Sequence, residues 1–100
     1  MAALEFRFIG WCHNKDSKGE HDKIWASFEL NDSYYACWGA RGKTVNFKRH
    51  TCCYDLDEVQ RSKEKKYDRV GEAELLKIWP DFYQSVEMRL VFCVMANHIK

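Results

Sequence analysis

One hundred residues, 46% hydrophobic and 15% aromatic, can fill the core of one domain, residues 1–100, without disulfides or metal. A formal net charge of +1 excludes a global attraction to polyanions, so an anion site must come from local clustering of the 16 Lys and Arg among the 15 Asp and Glu. No stretch has the layout of a secretion signal. The longest apolar run, residues 90–96, is far short of the roughly 20 residues that span a bilayer, so the expectation is a cytoplasmic protein with no membrane partner.

The N-terminal half has the period-two alternation of half-buried strands. Leu4, Phe6 and Phe8 alternate with Glu5 and Arg7, and Ile24, Ala26, Phe28 and Leu30 alternate with Trp25, Ser27 and Glu29. Residues 13–22 are polar and read as a loop. Asn31-Asp32-Ser33 is a turn that returns the chain into a strand over residues 34–38. A glycine-containing turn over residues 39–43 leads to a fourth strand over residues 44–48, with Val45 and Phe47 on one side and Asn46 and Lys48 on the other.

The pattern changes after His50, which reads as a surface residue near a helix start. Asp55-Leu56-Asp57-Glu58 has the form of a capping box, and Leu56, Val59, Lys63, Tyr67 and Val70 follow at helical spacing, predicting a helix over 55–69 stopped by Gly71. Residues 72–79 predict a short helix. Pro80-Asp81 opens another, with Phe82, Val86, Leu90, Cys93 and Val94 on one face. Residues 88–94 are rich in strand formers, so a fifth strand is the competing reading there. The expected fold class is α+β: a four-stranded antiparallel meander sheet packed against one or more C-terminal helices.

Cys12, Cys37, Cys52, Cys53 and Cys93 form an odd set with no CxxC spacing, which points to reduced thiols rather than a disulfide scaffold. Adjacent Cys52 and Cys53 diverge on a strand or a helix alike, a poor start for a metal centre, so neither metal nor cofactor is expected. His50 with Cys52 or Cys53 is the one close grouping of His and Cys. It lacks an evident third group to orient it, and the chain reads as non-enzymatic.

The segment Trp38-Gly39-Ala40-Arg41-Gly42-Lys43 joins an aromatic plate, two glycines and two cations. Arg41, Lys43, Lys48, Arg49 and His50 gather within ten residues, and no Asp or Glu occurs over residues 39–53. Such a patch can bind phosphate through charge and counterion release, with Trp38, Tyr35 or Trp25 as stacking surfaces. Plain sheet packing is the competing reading for Trp25, Tyr34 and Tyr35, and a structural Trp for Trp38.

The strand over residues 23–30, the strand entering Trp38-Gly39, the glycine-cation turn, Phe47 and the later Lys65-Lys66-Tyr67 together resemble a WGR domain. That is a nucleic-acid-binding module found in some poly(ADP-ribose) polymerases and in small bacterial and phage proteins. The resemblance covers residues 23–70. The third motif position is Ala40, with Arg41 one residue later, so the resemblance carries a ligand role over to Trp38 alone. The leading expectation is a binding module for nucleic acid or a nucleotide, with Arg41, Lys43, Lys48 and Arg49 on phosphate. Two alternatives stand beside it: sequestration of a small nucleotide such as a cyclic dinucleotide, as stand-alone phage proteins do, and an interaction module using surplus aromatic residues for a homo-oligomeric or partner interface.

Overall fold

In a computed structural model, residues 5–16, 19–30 and 32–99 are described, with side chains described over 5–13, 21–30 and 32–90. Strands β1 (Glu5–Asp16), β2 (Gly19–Leu30), β3 (Ser33–Ala40) and β4 (Asn46–His50) form the antiparallel meander. Helix α1 (Cys53–Glu64) follows, then a two-residue strand β5 (Asp68–Arg69), helix α2 (Glu72–Ile78) and helix α3 (Phe82–Ile99). Strand β5 pairs with β1, giving a five-stranded sheet of order β4-β3-β2-β1-β5. The fold class is the α+β arrangement expected from the sequence. No helix among the described residues is long and apolar enough to cross a membrane.

Alternation in β2 feeds two cores. Ile24, Ala26 and Phe28 face α2 and α3, where Leu75, Trp79, Phe82, Val86 and Leu90 pack against them with Ile9, Cys37 and Val45. Trp25 faces the other way and joins Phe8, Ala36, Leu56 and Tyr67 beneath α1. The sequence reading gave the sheet one apolar face. The second is buried because Trp25 and Phe8 supply large apolar surfaces on the alternate positions, and Ser27 satisfies its hydroxyl by donating to Gln60 Oε1 of α1 at 2.6 Å. A register irregularity between Phe6 and Phe8 turns Phe8 onto the α1 face while Phe6 stays with the α2/α3 core. The Arg7 guanidinium beside it pairs with Asp57 of α1.

Several boundaries differ from the sequence reading. Residues 13–16 and 19–22 are not a loop; they extend β1 and β2 as a paired ribbon from His13↔Asp22 to Asp16↔Gly19. Polar side chains do not interrupt a backbone ladder. His13 stacks on Trp11 at 3.6 Å between ring centroids, and Trp11 Nε1 donates to Asp22 Oδ1 at 2.8 Å. Helix α1 starts at Cys53 on an extended Cys52 with no side-chain cap. Asp55 accepts from or pairs with the His50 ring instead of capping, and His50 is buried at 6% exposure rather than lying on the surface.

The helix also stops before residue 69. Tyr67 belongs to the core under α1 and Val70 to the opposite core, so the chain must pass around the free edge of β1 in extended form. The bond from Val70 N–H to Ile9 O at 2.9 Å completes that passage. Gly71 then begins α2 instead of ending α1. Residues 88–94 are helical, part of α3, and Phe82, Val86 and Leu90 share its buried face. The placements expected for the Cys93 and Val94 side chains, and for Leu4 and Asn31, fall outside the described residues.

Phe82→Ala removes a wholly buried ring from the α2/α3 core and should lower the unfolding free energy by about 3–5 kcal/mol in urea denaturation. Burial raises the Cys37 thiol well above its ordinary value and keeps it protonated, whereas Cys52 is exposed. Maleimide labelling at neutral pH, read by peptide mass spectrometry, should therefore modify Cys52 and spare Cys37 until the protein unfolds.

Candidate functional site

Helix α1 is shorter than the sheet it covers, and an open groove of about 540 Å³ remains beside it. Its sheet wall is set by strand register. Across the strands, Trp25 pairs with Trp38 and Trp38 with Asn46; two residues to one side Ala36 pairs with Lys48, and two residues to the other Lys23 pairs with Ala40. Side chains two apart share a face, so Lys23, Trp25, Trp38, Ala40, Asn46, Lys48 and His50 all look into the same space. Val59, Lys63 and Tyr67 close it from α1 and the segment that follows.

The floor is aromatic. Trp25 is buried at 3% exposure and serves as packing, while Trp38 is 37% exposed and lines the groove. Tyr67 lies close over Gly10, where an added Cβ would come within 2.6 Å of the Tyr67 Cβ, so the absence of a side chain at residue 10 lets the phenol seat against the sheet. Burial, and to a smaller degree the Cys12 thiol, raises the Tyr67 phenol, which stays protonated at neutral pH. Gly39 is needed for the backbone, not for a ligand: a Cβ there would meet Thr44 O at 2.7 Å. Gly42, at φ +78, turns the chain between β3 and β4.

The rim is cationic. Lys23, Lys48 and Lys63 line the groove, and no acidic side chain lines it among the described residues. The Lys23 and Lys63 ammonium groups stand 5.9 and 5.8 Å from the centroid of the same Tyr67 ring. His50 Nδ1 lies 2.7 Å from Asp55 Oδ2. A carboxylate can only accept, so Nδ1 carries the proton and Nε2 is the nitrogen left for other contacts.

The residues predicted from the sequence divide sharply. Trp25, Trp38 and Lys48 line the groove; Arg41, Lys43, Arg49 and Tyr35 do not. Tyr35 is on the opposite face, stacked on Phe28 at 5.2 Å and edge-on to Phe47 at 6.1 Å. Arg49 alternates with Lys48 and His50 and so falls on that opposite face as well. Arg41 is held by Asp22 from β2, Nε to Oδ2 at 2.8 Å, and its N–H donates to Asp22 O at 3.0 Å. In the acid-free stretch over residues 39–53, Arg41 is therefore neutralised by an acid from elsewhere in the chain. Lys43 is exposed in the turn. Reading the sequence by local clustering included His50 but missed Lys23, Lys63, Tyr67 and Asn46; the position of Lys23 two residues before Trp25, on the same strand face, was the available signal for the first of them.

Protein-family models, curated proteins and solved structures give no match to this chain.

Trp38→Ala should cost about 1–3 kcal/mol, less than loss of a fully packed ring, because 37% of the residue is already in water. Trp25→Ala should cost about 3–5 kcal/mol. Thermal and urea unfolding of the two variants separates the exposed plate from the packed one.

Proposed function

We propose that this protein is a non-enzymatic binding module for a phosphate-bearing ligand with a stackable base, a nucleotide or nucleic acid. One observation supports this most directly: three lysines surround an aromatic floor in a groove whose described lining holds no carboxylate. Ammonium groups so placed attract phosphate oxygens by charge, and the release of condensed counterions adds to the gain. An exposed indole stacks on any base with about 1–3 kcal/mol per base, without regard to sequence. The resemblance of Trp38-Gly39 and its surroundings to the WGR domain points to the same class of ligand.

The chemistry of the lining supports binding rather than turnover. No Ser, Thr or Cys side chain faces the groove among the described residues, so the His50 ring, which Asp55 orients through Nδ1, has no hydroxyl or thiol nucleophile beside it in the lining. The concavity favours a compact ligand, because about 540 Å³ is within the roughly 300–1,000 Å³ typical of small-molecule sites. This is the observation that keeps sequestration of a small nucleotide beside the nucleic-acid reading.

Titration of a ten-residue oligothymidylate, followed by Trp fluorescence, should give an affinity that falls with salt. With three lysine contacts the slope of log K against log salt should be about −2, and Lys48→Gln should reduce its magnitude by about 0.7. An affinity indifferent to salt between 50 and 200 mM would remove the basis of this reading.

A further inference from the structure

The groove's cations are not spread evenly. Lys23 and Lys63 converge on Tyr67 at one end, within 6 Å of a shared ring. Lys48 and His50 stand at the other end, on β4. Strand register puts Lys23 in the row of Ala40, Lys48 in the row of Ala36 and Trp38 in the row between them. The two lysine backbones are therefore about 13 Å apart along the strands and about 10 Å apart across them, with the exposed indole midway. Both ammonium groups lie within 6 Å of the Tyr67 ring centroid and both line the groove, so an anion at this end is attracted by two cations at once. At the far end, Asp55 offsets any positive charge on the His50 ring, leaving Lys48 as the fixed cation there.

We infer that the groove is bipolar and takes a dinucleotide unit, with one phosphate between Lys23 and Lys63, a second at Lys48, and a base on Trp38 between them. This rests on the phosphate-binding reading above and goes beyond it by fixing the number and spacing of anionic centres. A ligand with one phosphate can satisfy only one pole. A ligand with two phosphates linked through nucleosides spans both while its base covers the indole. Lysine stems are long and flexible, so the tips can close on phosphates nearer together than their own backbones. The same unit occurs as a free dinucleotide or within a single strand.

Calorimetric titration at low salt with adenosine monophosphate, the linear dinucleotide pApA and a ten-residue oligoadenylate tests the arrangement. The expected result is pApA binding at least about tenfold tighter than the monophosphate. Lys48→Gln and the double variant Lys23→Gln/Lys63→Gln should each lower pApA affinity about tenfold, and at most one of them should affect the monophosphate. Glutamine retains most of each stem, and unchanged melting curves verify that the fold is kept. Several proteins per ten-residue strand at the pApA affinity identify a single-stranded segment as the source; pApA binding with exclusion of the longer strand identifies a free dinucleotide. Equal affinity for pApA and the monophosphate overturns the bipolar site and leaves phosphate binding standing. Failure of all three to bind overturns both.

Discussion

The double burial of β2 is the constraint on which the rest of this structure depends. A central strand whose side chains are enclosed on both faces must have a helical layer on each, and the chain supplies them in sequence, α1 on one side and α2 with α3 on the other. The apolar area involved is the main driving force for the fold, because each large side chain buried contributes about 1.5–3 kcal/mol. The two layers are unequal. The α2/α3 side encloses the larger cluster, while the single twelve-residue helix α1 covers only part of its face. What it leaves uncovered becomes the groove, and the residues there are those that alternation places on that face.

Much of this architecture was legible in the sequence. Strong period-two alternation over residues 24–30 and around Phe6 and Phe8 identified β2 and the start of β1, and the Asp32 and Gly42 turns, both at positive φ, fell where Asp and Gly make that conformation cheap. Helix boundaries were harder to read. Tyr67 and Val70 continue the helical spacing of Leu56 and Val59, yet they serve opposite cores, and only the edge of β1 decides that the chain must leave the helix between them. Asp55 looked like a cap because a carboxylate just before a helical run commonly is one; here the imidazole five residues earlier takes it.

The groove was only partly legible, for a physical reason. Proximity along a strand does not mean proximity in space, since Lys48 and Arg49 are adjacent in sequence and lie on opposite sides of the sheet. Charge balance is likewise a property of the folded surface. Residues 39–53 contain no acid, but Asp22 reaches Arg41 across the β2–β3 ladder. Conversely, Lys23 is distant in sequence from Lys63 and Tyr67, and it meets them because register, helix placement and a side-chain-free Gly10 bring them together.

Asp22 has a further consequence. One carboxylate grips the Trp11 indole with one oxygen and the Arg41 guanidinium with the other, while its own carbonyl takes the Arg41 N–H. The β3–β4 connection beside Trp38 is thereby braced to the neighbouring ribbon from the side away from the groove. For the binding function proposed above, a wall held in this way would lose little conformational freedom on association, so most of the contact energy would be retained as affinity.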